Sequence, residues 1–92
     1  MDELHKKFIP IGTIVKLKKS ESLFIIIGYG ASFEKNKDVK YDYISYLYPV
    51  GFTRKSDNYL FNYEDIEKIV FKGYADKTYT NFLNILGGVK ND

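Results

Sequence analysis

Alternation of apolar and polar residues predicts that this chain is built mainly from short β-strands. In the segment TIVKLK (13–18), Val15 and Leu17 fall on one side of an extended chain and lysines fall on the other. That spacing is typical of a strand with one buried face. We therefore predict a first strand at 13–18, with a hairpin turn in the short hydrophilic segment that follows it.

The second predicted strand, LFIIIGY (23–29), is apolar on both of its sides. A strand of this kind is usually central in a sheet and covered on both faces. Gly28, near its end, is expected to allow a bulge or a bend. The next segment, GASFEKNKDVK (30–40), is polar and shows no periodicity. We predict that this segment is an irregular, mobile loop.

Three more strands are predicted in the stretch 41–74, which holds seven of the nine tyrosines. These strands are YDYISYLY (41–48), YLF (59–61) and KIVFK (68–72). Pro49 and Gly51 are expected to end the first of them in a tight turn. Asn62 is expected to cap one short helix before the last strand, with two acidic residues near the positive end of the helix dipole.

A change of period after residue 75 predicts a C-terminal helix. Apolar residues there follow the i, i+3, i+4, i+7 spacing of one helix face: Tyr79, Phe82, Leu83 and Leu86. Asp76 is expected to cap this helix, and Gly87 and Gly88 are expected to end it.

Together these elements predict a single α+β domain over residues 1–92. We expect mobile residues at 1–8, a β-rich core at 9–74 and the C-terminal helix at 76–87. The core is predicted to be a curled, mainly antiparallel sheet of about five strands. Whether that sheet closes into a small SH3-like barrel is left open by the pattern.

Composition removes several classes of site. The chain has no cysteine, which excludes disulfides and thiolate metal sites. Its N-terminal segment lacks the apolar region of a signal peptide, and its longest apolar run, at 23–27, is too short to cross a bilayer. We therefore expect a cytoplasmic location and no membrane partner.

No group of residues predicts catalysis, a metal site or a cofactor. His5 is the only histidine and lies in the segment predicted to be mobile. Glu64, Asp65 and Glu67 could face a cation, but helix capping and dipole effects explain most of this cluster. Because no nucleophile–base pairing is apparent, we expect that the protein is not an enzyme.

The excess of tyrosine indicates a core first and a binding surface second. Tyrosine is large, stiff and amphipathic, and it is enriched where proteins bind each other. The residues predicted to bind a partner protein are Tyr41, Tyr43, Tyr46, Tyr48 and Phe52. A small nucleic-acid-binding barrel is an alternative, because lysine-rich pieces at 16–19 and 35–40 lie near these aromatic residues.

Four segments also resemble a known family. They are IPIGTIVKLK (9–18), FIIIG (24–28), YDYISYLYPVG (41–51) and LFNYEDIEKIVFKGY (60–74). In this order they are similar to the small bacterial proteins of domain-of-unknown-function family 4176. Val50 departs from the glutamate expected in the family's turn. The family has no established catalytic residues, so the resemblance implies none here.

The resemblance does imply a partner. Members of this family resemble accessory proteins encoded beside LXG-type polymorphic toxins and type VII secretion components of Gram-positive bacteria. The expected function is therefore that of a chaperone, adaptor or targeting factor that binds a toxin or a secretion component before export. An immunity protein for such a toxin is the alternative. Neither implication identifies the oligomeric state.

Overall fold

A computed structural model describes residues 9–33, 36–55 and 57–91, which form one five-stranded sheet and a C-terminal helix. The strands are β1 (Ile14–Leu17), β2 (Leu23–Phe33), β3 (Asn36–Tyr48), β4 (Tyr59–Phe61) and β5 (Ile66–Phe71), and the helix α1 spans Lys77–Asn91. The strand order is β4-β3-β2-β1-β5, and each neighbouring pair is antiparallel. The predicted α+β class is confirmed, and the sheet is open, with β4 and β5 as its edges. The prediction of mobility at 1–8, together with His5, lies outside the described residues.

One face of the sheet carries the hydrophobic core. The alternation in β1 puts Val15 on this face, where it is fully buried. Buried side chains from the other strands and from the entry to β1 join it: Ile9, Phe24, Ile26, Tyr43 and Phe61. Helix α1 lies on the same face, because Leu83 is buried and the ring centroid of Phe82 lies 6.0 Å from that of Tyr29. Burying each such side chain contributes about 1.5–3 kcal/mol to stability.

Strand β2 is central, as predicted, but only one of its faces is fully covered. Phe24 and Ile26 are buried in the core, whereas Leu23 and Ile25 on the opposite face stay half-buried. The prediction of cover on both faces is therefore wrong among the described residues. The predicted irregularity at Gly28 is confirmed, because the pairing of β2 with β3 shifts between Ile26 and Gly28.

The predicted irregular loop at 30–40 is wrong for the residues that the structure describes. Strand β2 continues to Phe33, and β3 begins at Asn36, so the two strands pair as a long hairpin. Ala31 lies opposite Tyr41, and Ser32 lies opposite Lys40. Hydrogen bonds between the paired backbones form whatever the order of the side chains, so the sequence of such a hairpin needs no apolar alternation.

Both predicted helix starts are confirmed. Asp76 Oδ1 accepts a hydrogen bond from the Tyr79 N–H at 3.1 Å. At Asn62 the short helix is a 3-10 turn (Tyr63–Asp65), and Asp65 Oδ2 accepts the Asn62 N–H at 2.9 Å. The turn is brief, so β5 begins at residue 66 and not at 68.

The predicted end of the C-terminal helix is wrong. Helix α1 continues through Gly87 and Gly88 to Asn91. Glycine adopts helical as readily as left-handed backbone angles, so two glycines permit a helix end without forcing one.

Candidate protein-binding surface

Strand β3 separates the predicted binding residues onto two faces of the sheet. Successive side chains of a strand point to opposite faces. Tyr41 and Tyr43 share the core face with Ser45, whereas Tyr46 and Tyr48 lie on the opposite, outer face. The five residues therefore do not form one surface.

Tyr43 belongs to the core, which corrects its assignment to a binding surface. Its side chain is 0% exposed. Its ring centroid lies 5.4 Å from that of Phe61 and 6.1 Å from that of Tyr29. Tyr41 lies on the same face and is half-buried beside Ala31. A partner cannot reach Tyr43 while the domain stays folded.

Buried phenols hold the entry to β1 against the core. The Tyr29 hydroxyl donates a hydrogen bond to the Ile9 carbonyl oxygen. Burial, reinforced by the nearby Tyr79 hydroxyl, raises the pKa of Tyr29 to about 12. Burial also raises the pKa of Tyr43, with a smaller contribution from Asp42. Both phenols are therefore neutral at physiological pH and act structurally.

These raised pKa values predict a loss of stability in alkali. The pKa of Tyr29 rises from 10.0 to about 12 on folding, so the unfolded chain loses its proton first as the pH rises. The free energy of unfolding should hold steady below pH 10 and fall between pH 10 and 12. Urea denaturation across this range measures the fall. Tyr29→Phe should lessen it, so equal slopes in wild type and Tyr29→Phe would contradict this linkage.

On the outer face, a tight turn brings an additional aromatic side chain beside β3. The Gly51 N–H donates to the Leu47 carbonyl oxygen at 2.8 Å, which reverses the chain. Gly51 has φ +69°, a left-handed conformation that favours glycine. The ring centroids of Tyr46 and Phe52 therefore approach to 5.7 Å in an edge-on arrangement. Phe52 is 70% exposed, so most of its ring faces solvent.

Cross-strand pairing extends this aromatic pair over four strands. Tyr46 of β3 lies opposite Ile25 of β2. Ile25 lies opposite Ile14 of β1, which lies opposite Phe71 of β5. A register shift between Val15 and Ile14 puts Phe71 on this face, although Ile69, two residues before it, lies opposite the buried Val15. A parallel row places Tyr48 opposite Leu23. We call the resulting surface the outer patch: Ile14, Leu23, Ile25, Tyr46, Tyr48, Phe52 and Phe71. All seven are half-buried or exposed.

Sequence reasoning missed four of these residues: Ile14, Leu23, Ile25 and Phe71. The apolar character of both sides of β2 was the available signal. That pattern predicts cover on both faces, whereas the structure leaves the face of Leu23 and Ile25 partly exposed. Phe71 could not be placed without the register between β1 and β5.

Charged residues of both signs border the outer patch. Lys16 of β1 lies opposite Leu23, so it continues the row formed by Tyr48 and Leu23. Lys68 of β5 lies opposite Lys16. Lys16 Nζ lies 3.2 Å from Glu67 Oε1. This exposed ion pair offsets part of the lysine charge, so the border of the patch is not a continuous basic groove.

The acidic residues considered for a cation site have structural roles in two cases of three. Asp65 accepts the Asn62 N–H at the start of the 3-10 turn, and Glu67 pairs with Lys16. Glu64 shares a shallow groove with Glu67, but Lys18 and Lys68 line the same groove. No cluster of histidine, cysteine or acidic side chains suited to a metal ion occurs among the described residues.

Comparison with known families identifies the family of this chain. The profile of the family described as a domain of unknown function, DUF4176, matches residues 8–82. The chain belongs to this DUF4176 family. The matched range holds all five strands and ends within α1, so the outer patch lies wholly inside the family domain. Comparisons with curated proteins and with solved structures found no match.

A membrane-spanning helix is not found in the described part of the chain. No helix there has the length and apolar content that a bilayer crossing requires. The α-helix in these ranges is α1, whose Leu83 is buried and whose Phe82 contacts Tyr29 of the sheet.

Proposed function

We propose that this DUF4176 protein is a non-enzymatic accessory factor that binds another protein through the outer patch. The observation that carries the proposal is the continuity of the patch across β3, β2, β1 and β5. In the described part of the chain, no element packs over it. A contiguous apolar surface of this kind commonly marks a protein-binding site.

The composition of the patch also fits protein binding. Tyr48 is 44% exposed and Phe52 is 70% exposed, and both project beside smaller, half-buried aliphatic residues. Exposed aromatic anchors surrounded by a well-packed apolar floor supply most of the binding energy in many interfaces. The tyrosine hydroxyls allow the same surface to stay hydrated when no partner is bound.

The proposed partner is a type VII-secreted toxin of the LXG class, or a component that secretes it. This part of the proposal rests on the family resemblance and not on the geometry of the patch. A chaperone, adaptor or targeting factor would act in the cytoplasm, before export. The patch would then cover an apolar surface of the toxin until secretion.

An immunity protein for the same toxin is the second candidate. It would use the same kind of surface but would bind the toxic domain, whereas a targeting factor would bind the N-terminal, secretion-directing part. Separate expression of the two toxin parts distinguishes these roles. Nucleic acid is a weaker candidate, because acidic residues lie among the lysines that border the patch.

Alanine substitution in the outer patch tests the proposal. Tyr48→Ala combined with Phe52→Ala should weaken binding to the toxin encoded beside the gene by on the order of a hundredfold, because two exposed aromatic anchors are lost. Calorimetric titration of the co-expressed toxin measures the change. Tyr74→Ala removes an aromatic side chain that is 81% exposed outside the patch, and it is the matched control.

The outcomes are distinct. Weaker binding with an unchanged melting temperature supports the outer patch. Equal binding by the double variant and by Tyr74→Ala would overturn it. Failure of the toxin to co-purify with the wild-type protein would overturn the proposed partner.

A further inference from the structure

The edge strand β5 has exposed apolar side chains, and one edge of its backbone pairs with no described strand. It has six residues, whereas β4 at the other edge has three. Ile69 and Val70 are each 47% exposed, and Phe71 is 60% exposed. Among the described residues, β1 is the strand that pairs with β5, and none pairs with its other side. An edge of this kind accepts a further strand unless something protects it.

A cleft on the core side of β5 adds side-chain pockets to this edge. The cleft has a volume of about 710 Å³ and lies between β5 and α1. Ile69 and Lys72 line one wall, and Tyr79 and Leu83 of α1 line the other. Its size falls within the range of pockets that hold small ligands or side chains.

The register explains why the edge and the cleft form one site. Val15 lies opposite Ile69, so Ile69 points to the core side of the sheet. The pairing of β1 with β5 shifts register on either side of Lys68 and Ile69, so β5 is regular only between these shifts. A strand added there would lie about 4.8 Å beyond β5, and its alternate side chains would point to that same side. Those side chains would then enter the cleft between Ile69 and α1. Backbone hydrogen bonds would supply affinity, and the cleft would supply selectivity.

Charge identifies the occupant. Lys68 and Lys72 are exposed and make no ion pair with the described residues. Glu67, the one acidic residue of β5, is already paired with Lys16. Asp76 lines the same cleft as Lys72, but its Oδ1 accepts the Tyr79 N–H at the start of α1. The strand edge itself therefore carries positive charge that an incoming strand can neutralise. We propose that β5 binds an extended acidic peptide segment of a partner protein, which adds a sixth strand and inserts alternate apolar side chains into the cleft.

A second copy of this chain meets a charge conflict in some registers of this edge. Antiparallel pairing of two β5 strands about a twofold axis brings lysines together when it is centred on Lys68 or on Val70. The first register places Lys68 opposite its own copy, and the second places Lys68 opposite Lys72. Like charges directly opposite each other destabilise a strand pair. The acidic peptide has no such conflict.

The cleft opens on the core side and the outer patch lies on the other face, so the two proposed sites meet only at Phe71 of β5. The test uses the full-length protein and a phage library of random dodecapeptides, followed by NMR with the most enriched synthetic peptide. We expect enriched peptides that alternate apolar residues and carry aspartate or glutamate. Their addition should shift amide resonances of Ile66–Phe71 and of residues that line the cleft.

Substitutions then test the charge and the cleft separately. Lys68→Glu combined with Lys72→Glu should weaken peptide binding about tenfold, with Lys55→Glu as the exposed control. Ile69→Asp should weaken it at least as much, and Val50→Asp, with similar exposure, should not. No enriched peptide, peptides without acidic residues, or dimerisation through β5 would overturn the inference. Peptides that shift only Tyr46, Tyr48 and Phe52 would also overturn it while leaving the proposed function standing.

Discussion

Replacement of Tyr43 by alanine is expected to lower the free energy of unfolding by about 3–5 kcal/mol. The side chain is 0% exposed and packs against the rings of Phe61 and Tyr29. Its loss would leave a cavity at the centre of the core cluster. A domain of this length has a total stability on the order of 5–15 kcal/mol, so the loss is a large fraction of it. Urea denaturation followed by circular dichroism measures the change.

Two further variants show whether the loss of stability comes from removing a buried ring. Tyr48→Ala should cost less than about 1 kcal/mol, because its side chain is 44% exposed on the outer face. Tyr43→Phe keeps the ring and removes the hydroxyl, which is hydrogen-bonded to the Ile9 backbone, and should cost about 1 kcal/mol. Equal losses for Tyr43→Ala and Tyr48→Ala would contradict the assignment of the two residues to opposite faces.

Replacement of Gly73 by alanine is the second change with a large expected effect, about 3 kcal/mol or more. An added Cβ would lie 2.9 Å from the Thr13 nitrogen and 3.0 Å from the Gly12 carbonyl carbon, and it would come closer still to the Ile11 carbonyl oxygen. These are backbone atoms, which cannot swing aside as a flexible side chain does. The buried Gly73 N–H also donates to Thr13 Oγ1 at 2.9 Å, so movement of the segment that follows β5 would break this hydrogen bond.

Gly30→Ala is the matched control for Gly73→Ala. Gly30 has φ +63° but open space around its Cβ position, so the variant carries backbone strain without a clash. Its expected cost is about 1–2 kcal/mol. Thermal unfolding of both variants compares the two effects. An equal or higher melting temperature for Gly73→Ala than for Gly30→Ala would contradict the tight packing of Gly73 against the backbone of residues 11–13.

Much of the sheet could be predicted from the sequence because apolar alternation reports burial directly. The segment around Val15 has one apolar side and one charged side, and it forms β1 as predicted. The sequence around Ile25 is ambiguous, because a strand with two apolar sides fits either a fully covered strand or one with an exposed binding face. Only the packing of α1 on one face resolves that ambiguity.

Elements whose sequences show no apolar period are harder to predict. The sequence around Ala31 and Lys40 has no such period, so the pattern predicts a loop where the structure has a hairpin. The helix that passes through Gly87 continues because glycine tolerates helical angles, which no local pattern shows. In both cases the backbone conformation does not depend on side-chain alternation.

The binding surface could be predicted only in part. Strand periodicity places Tyr43 and Tyr46 on opposite faces of β3, because they are an odd number of positions apart. It does not show which face is buried when both faces carry tyrosine. The neighbours of Tyr46 depend on strand register, and Phe71 is more than twenty residues away along the chain. For these reasons the outer patch required the structure.

Hydroxyl-radical footprinting of the purified complex with the toxin, read by mass spectrometry, tests binding through the outer patch most directly. Oxidation reports the solvent exposure of individual aromatic side chains. Tyr48 and Phe52 should lose most of their reactivity on binding, whereas Tyr74, exposed in the free domain and outside the patch, should keep its own. Unchanged oxidation of Tyr48 and Phe52 in a fully formed complex would contradict binding through the outer patch.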